Sequence, residues 1–90
     1  MTQVWQIIYS QIVIDRDIPR LDSTIRQRIR QNIEAKLCVD PIRFGKPLRF
    51  AMIGQRSLRV GDYRVLYLVD SEKSQIQVLA IGHRRNIYDD

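Results

Sequence analysis

The residues with the clearest chemical potential are two arginines, Arg59 and Arg64, placed symmetrically around a Gly-Asp pair. Residues 57–67 alternate apolar and polar side chains around that pair, which is typical of a β-hairpin with a two-residue loop of type II′. With Gly61 and Asp62 as the loop, the two arginines lie directly opposite each other on one face. They could bind an anion such as a phosphate between them, since each guanidinium can contact two oxygens at once.

The other face of the same hairpin is apolar and is expected to pack on a core. Its residues are Leu58, Val60, Tyr63 and Val65. Directly opposed like charges destabilise a hairpin by up to roughly 1 kcal/mol, so a bound anion would explain why both arginines are present. The alternative is that both side chains extend into water, where salt screens their repulsion.

The elements that must position this hairpin follow from the pattern of apolar residues. In chain order the pattern predicts a strand over Val4–Tyr9, a short helix over Gln11–Ile18 that Ser10 caps and Pro19 ends, a helix over Ser23–Cys38 that Asp40–Pro41 stops, a basic connector over 43–49, a short strand over Leu48–Ile53, hairpin arms over Arg56–Val60 and Tyr63–Val69, and a last strand over Gln75–Gly82. The long helix has the strongest signal. Its apolar residues recur every four positions, at Ile25, Ile29, Ile33 and Leu37.

These elements predict one α+β domain over residues 1–90. Two N-terminal helices are expected to pack on a mainly antiparallel sheet of about four strands, in the order β-α-α-β-β-β. Whether Arg84, beyond the last strand, shares the face of Arg64 depends on the strand register, because a slip of one residue moves every side chain to the other face.

The charge of the chain favours an anionic partner. The 90 residues carry a net charge of +5 at pH 7, and between 43 and 64 only Asp62 opposes a group of basic residues. That group is Arg43, Lys46, Arg49, Arg56, Arg59 and Arg64. A single cysteine, Cys38, excludes an internal disulfide and fits a reducing cytoplasm. No apolar run is long enough to span a membrane, and no zinc-binding spacing is present, so neither a membrane partner nor a metal or other cofactor is expected.

Four segments of the chain resemble the RelE toxins of the RelE/ParE superfamily, and the resemblance extends in element order over nearly the whole chain. The segments are Asp40–Pro41, Phe44–Arg49, Leu58–Tyr67 and Ala80–Tyr88. The resemblance implies a toxin of a type II toxin–antitoxin pair. Such a toxin enters the ribosomal A site, cleaves messenger RNA there and is silenced by a cognate antitoxin protein.

The resemblance also implies roles for individual residues. Arg64 matches the arginine that holds the scissile phosphate, Arg84 the arginine that stabilises developing charge, and Tyr88 the tyrosine that stacks on a base. Arg59 matches a basic hairpin position. Further basic residues expected to bind the RNA backbone are Arg56, Lys46, Arg49 and Arg85.

Two positions depart from the family pattern. The best-described RelE toxins have two lysines that correspond here to Gln55 and Ser57, and neither of these can act as a cationic base. RNA cleavage by its own 2′-OH needs proton transfer as well as charge stabilisation. His83 is the only histidine and could take that role, because histidine titrates nearest neutrality. Alternatively, His83 lies on the other face from Arg84, since neighbours in a strand alternate.

Other functions fit parts of the sequence. Tyr88 could be a packing residue of the C-terminal segment instead of a stacking platform. The whole chain could be a ParE-like toxin that inhibits DNA gyrase without catalysis, or a basic RNA-binding homologue that has lost activity. No paired carboxylates, Ser-His-Asp set, Walker loop or dinucleotide glycine motif is present.

Overall fold

The computed structural model describes residues 4–49 and 53–87, and it shows helices packed on one face of a five-stranded sheet. The elements in chain order are β1 (Gln6–Tyr9), a π-helical turn (Val13–Asp17), α1 (Ser23–Asn32), a second π-helical turn (Ile33–Leu37), α2 (Pro41–Phe44), β2 (Lys46–Pro47), β3 (Arg56–Val60), β4 (Tyr63–Asp70) and β5 (Gln75–His83). The predicted α+β class and the hairpin are confirmed.

The sheet has the strand order β1-β5-β4-β3-β2. Strand β1 runs parallel to β5, and the other neighbours are antiparallel. The predicted count of about four strands is low by one. A strand over Leu48–Ile53 is also not found, because β2 lies earlier and Ile53 is already in a turn, while residues 50–52 lie outside the described part of the chain. The Leu48 amide donates to the Gln55 carbonyl at 2.9 Å, so the chain reverses between these residues.

The first predicted helix is present. Residues 11 and 12 are helical, and the helix continues into the π-helical turn Val13–Asp17. The predicted side-chain cap at Ser10 is not formed, and only its backbone carbonyl accepts from the Val13 amide, at 3.1 Å. Its hydroxyl is buried without a hydrogen-bond partner among the described residues. Asp17 is buried, and its Oδ2 accepts from the Ile81 amide at 3.0 Å. This side chain therefore completes the β5 ladder beyond the last residue of β1.

Helix α1 begins as its sequence predicts, because Asp22 Oδ1 accepts from the Ile25 amide at 2.9 Å. The apolar stripe continues through the second π-helical turn to Leu37, and Ile29, Ile33 and Leu37 are buried. A stripe with four-residue spacing drifts by about 40° per step around an α-helix. A π-turn contains more residues per turn, so it reduces that drift where the stripe ends.

A close backbone contact fixes the chain just before β2. Tyr67 is fully buried, and its hydroxyl donates to the Pro41 carbonyl at 2.6 Å. Burial raises the pKa of this phenol despite the opposing effect of Arg56, so the hydroxyl keeps the proton that it donates. Gly45 passes directly against the hydroxyl, and a Cβ there would overlap it and lie 2.7 Å from Cζ. Arg56 Nη2 donates to the Gly45 carbonyl at 2.7 Å.

Candidate phosphate-binding site at the hairpin loop

The hairpin has the register that its sequence predicts. Arg59 and Arg64 are Cα partners, and Gly61 begins the loop with φ +59°. Residues on either side of them, such as Leu58 and Val65, are buried in the core. Because strand neighbours alternate, both arginines lie on the sheet face that points away from the helices.

A β-bulge decides whether Arg84 joins that face. From Asp70 to Tyr67, β4 pairs with β5 in regular steps, and Tyr67 opposes Val78; the register then shifts, so that Leu66 opposes Ala80. Arg64 consequently opposes Gly82. Without the extra residue in β5, Arg64 would oppose the next residue back, and every later side chain would change face.

The register continues past the end of β5 into the hairpin loop. The Arg84 amide donates to the Asp62 carbonyl at 2.8 Å, and Arg84 Nε lies 3.8 Å from Asp62 Oδ1. Arg64 Nη1 donates to the carbonyls of Gly61 at 3.0 Å and Tyr63 at 2.9 Å. Both guanidinium groups therefore converge on the same two-residue loop, although they come from different strands.

Arg28 is a third cation at this loop, and it is absent from the residues that the sequence pattern indicated. A methyl group placed on Gly61 would lie 3.8 Å from Arg28 Nη1. Arg28 follows Ile25 by three residues and so lies on the same side of α1, at the border of the apolar stripe. This spacing from Ile25 is the sequence signal for the position of Arg28. A long side chain at the border of an apolar stripe can extend along the core to the edge of the sheet.

His83 lies on the other face. It is the partner of Tyr63, with ring centroids 5.4 Å apart in a T-shaped arrangement. Its Nδ1 accepts from the Arg85 amide at 3.1 Å. It lines a polar cavity of about 470 Å³ together with Arg16, Arg20 and other residues at the helical side. The structure therefore does not bring His83 beside Arg64.

The remaining candidate residues are distributed as follows. Arg56 points to the core side and donates to the Ile42 and Gly45 carbonyls, so it fixes the backbone before β2. Lys46 is exposed opposite Ser57, on the face of Arg59. Arg49 and Arg85 are exposed in connecting segments, and Tyr88 lies outside the described residues.

Metal-binding clusters and membrane-spanning helices are both missing from residues 4–49 and 53–87. In that part of the chain no group of three or more histidine, cysteine or acidic side chains could hold a metal ion. None of its helices has the length and apolar character needed to cross a bilayer.

Comparison with known proteins identifies the family. The family model for the ParE toxin of type II toxin–antitoxin systems, parDE, matches residues 5–88. The chain belongs to this family. Toxin RelG of Mycobacterium tuberculosis (strain ATCC 25618 / H37Rv) is 37% identical over 73 residues, which are 81% of this chain and 84% of that toxin. Toxin RelE of the same strain is 36% identical over 73 residues, which are 81% of this chain and 75% of that toxin.

Solved structures of RelE/ParE toxins share the fold. The toxin–antitoxin complex RelBE2 from Mycobacterium tuberculosis matches with a TM-score of 0.84 and 30% identity, covering 92% of this chain and 94% of the matched one. The intact E. coli RelBE complex matches with a TM-score of 0.70 and 25% identity over 88% and 95% of the two chains. The resemblance identified from the sequence motifs is thus confirmed, and this chain is a type II toxin of the RelE/ParE family.

Proposed function

We propose that this toxin is a ribosome-dependent endonuclease that cleaves messenger RNA in the A site. The 2′-OH of the bound transcript attacks the adjacent phosphorus, and the protein aligns the phosphate and stabilises its charge. No metal or other cofactor takes part in this scheme, which uses only side chains and the substrate's own nucleophile.

The convergence of Arg64 and Arg84 on one loop supports this proposal. Both bonds from Arg64 to the loop use a single nitrogen, Nη1, whereas a guanidinium has five N–H donors. The loop therefore orients this side chain and leaves donors to contact phosphate oxygens. Arg59 faces Arg64 directly, so the two opposed charges that disfavour folding would favour an anion between them.

The partners that this function requires are the ribosome, its bound message and an antitoxin. Solved relatives form complexes with antitoxins, as the RelBE2 and E. coli RelBE structures show for those toxins. We infer that this chain has its own antitoxin, a small protein with an amphipathic helix, and that the toxin acts in the cytoplasm.

Cleavage in a purified translation system tests the proposal. Wild-type toxin is expected to cut a message only at the codon that a ribosome holds in its A site. Primer extension would locate the cut. Arg64→Ala and Arg84→Ala should each lower the cleavage rate by about a hundredfold or more, since each removes a charge-stabilising donor. Lys73→Ala is the matched control, because Lys73 is exposed in the β4–β5 turn at the other end of β4. An intact message in the presence of folded toxin would contradict the proposal.

A second candidate function is inhibition of DNA gyrase, and the match to the ParE family model favours it. The same toxin preparation should be added to a gyrase supercoiling assay. Loss of supercoiling together with an intact message would support the gyrase target, whereas message cleavage with normal supercoiling would support the endonuclease.

A further inference from the structure

The proposed cleavage needs a proton donor on the sheet face that carries Arg59 and Arg64. When the 2′ oxygen attacks, the bond from phosphorus to the 5′ oxygen breaks, and the leaving oxygen must gain a proton. Guanidinium groups bind phosphate but keep their protons. His83 faces Tyr63 on the helical side of the sheet, so it does not approach a phosphate at Arg64.

Lys46 lies on the same sheet face as Arg59 and Arg64. It is the Cα partner of Ser57, and Ser57 is two residues before Arg59 on the same strand. From strand spacing and rise, Cα of Lys46 is about 8 Å from Cα of Arg59 and about 12 Å from Cα of Arg64. At these separations Lys46 and Arg59 can contact one phosphodiester, because each side chain extends several ångströms from its Cα. Arg64 lies on the loop side of that phosphate, since its Nη1 is bound to the Gly61 and Tyr63 carbonyls.

The backbone of Lys46 is held by contacts on both sides. Before it, the Gly45 carbonyl accepts from Arg56, and the Gly45 backbone lies against the buried Tyr67 hydroxyl. After it, the Leu48 amide donates to Gln55. These contacts hold the backbone of Lys46 in place, so its side chain extends from a defined point beside Arg59.

The Lys46 ammonium group has no ion-pair partner in the part of the chain that the structure describes. Within residues 4–49 and 53–87, no carboxylate lies within ion-pairing distance of Lys46, although Arg16, Arg30 and Arg84 each have an acidic partner. An exposed amine with that setting can approach an anionic substrate without first breaking an ion pair.

We propose that Lys46 is a catalytic residue that protonates the leaving 5′ oxygen. In this step the 2′ oxygen forms a bond to phosphorus and its proton passes to solvent water. The bond between phosphorus and the 5′ oxygen breaks, and the Lys46 ammonium donates its proton to that oxygen. The products are a 2′,3′-cyclic phosphate and a 5′-hydroxyl end. This assignment depends on the proposed endonuclease function.

The experiment compares two messages in the ribosomal A site, one natural and one with sulfur in place of the 5′ bridging oxygen at the cut. Sulfur leaves without protonation, so it removes the need for an acid. Lys46→Ala should cleave the natural message about a hundredfold more slowly than wild type, but should lose far less on the sulfur-containing message, where only the phosphate contact is missing. Lys46→Arg should show the same pattern, because it keeps the charge but does not release a proton.

The possible outcomes separate the two proposals. If wild-type toxin cuts neither message, the endonuclease function itself is wrong. If wild type cuts and Lys46→Ala cuts the natural message equally fast, Lys46 is not catalytic. An equal loss on both messages would assign Lys46 to phosphate binding and overturn the proton-donor role. Lys73→Ala should match wild type on both messages, and urea unfolding of each variant verifies that it is folded.

Discussion

The contact between Gly45 and Tyr67 predicts a strong dependence of stability on a single methyl group. In Gly45→Ala the new Cβ would overlap the Tyr67 hydroxyl and lie 2.7 Å from Cζ. The fully buried ring has to move, and the hydroxyl loses its bond to the Pro41 carbonyl. Overpacking of a core costs about 1–3 kcal/mol, and a buried carbonyl without its partner costs about 1–3 kcal/mol more. The free energy of unfolding should therefore fall by roughly 2–6 kcal/mol.

A double-mutant cycle measured by urea denaturation tests this mechanism. Tyr67→Phe removes the hydroxyl, so Gly45→Ala should cost at least about 1 kcal/mol less in that background than in wild type. Gly54→Ala is the control. Gly54 has φ +94°, and a methyl group there would have no atom of residues 4–49 and 53–87 within 4 Å apart from its chain neighbours, so its substitution costs backbone strain that Tyr67→Phe does not change. Equal costs of Gly45→Ala in both backgrounds would refute the proposed overlap.

Three further predictions follow from other contacts. Arg59→Thr should raise the free energy of unfolding by up to about 1 kcal/mol at low salt, because it removes the repulsion from Arg64. The same substitution should slow message cleavage. A gain in stability that is unchanged at high salt would contradict an electrostatic origin. Asp17→Ala should lower the free energy of unfolding by about 1–3 kcal/mol because it leaves the Ile81 amide unpaired, as urea denaturation would show, and an unchanged midpoint would exclude it. Burial, with a smaller effect of Glu34, raises the pKa of Cys38, so iodoacetamide should alkylate this thiol more slowly at neutral pH than free cysteine, and Glu34→Gln should speed the reaction.

The hairpin and the long helix were predictable because local pattern and tertiary packing agree in both. The Gly-Asp pair requires one register for its flanking strands, and the four-residue spacing of isoleucines defines one buried face. In each case the apolar face could be identified without knowledge of any other element.

The position of Arg84 was not predictable in the same way, because it depends on the β-bulge. The spacing of buried residues in β5 contains the signal. Val78 follows Ile76 by two residues, but Ile81 follows Val78 by three. When the spacing between inward-facing residues changes from two to three, the strand must contain one extra residue. That signal has meaning only once β4 is known to be the partner of β5.

Strand β2 and Arg28 depend on contacts between distant parts of the chain. The two residues of β2 have no strand pattern of their own, and Pro47 is typical of an edge. They pair because Tyr67 and Arg56, which follow them in the chain, bind the backbone just before them. Arg28 reaches the hairpin loop only because α1 packs on the core side of the sheet.

The parallel pairing of β1 with β5 has a consequence for how the toxin folds. Residues Gln6 and Gln75 are Cα partners, so the sheet closes only after a loop of most of the chain has formed. Pairings of such high sequence separation are slow to nucleate, and they link the two ends of the fold into one cooperative unit. A chain cut after β4 would lose β5, the strand that joins β1 to β4, and we expect it to be unfolded and harmless, without partial toxicity.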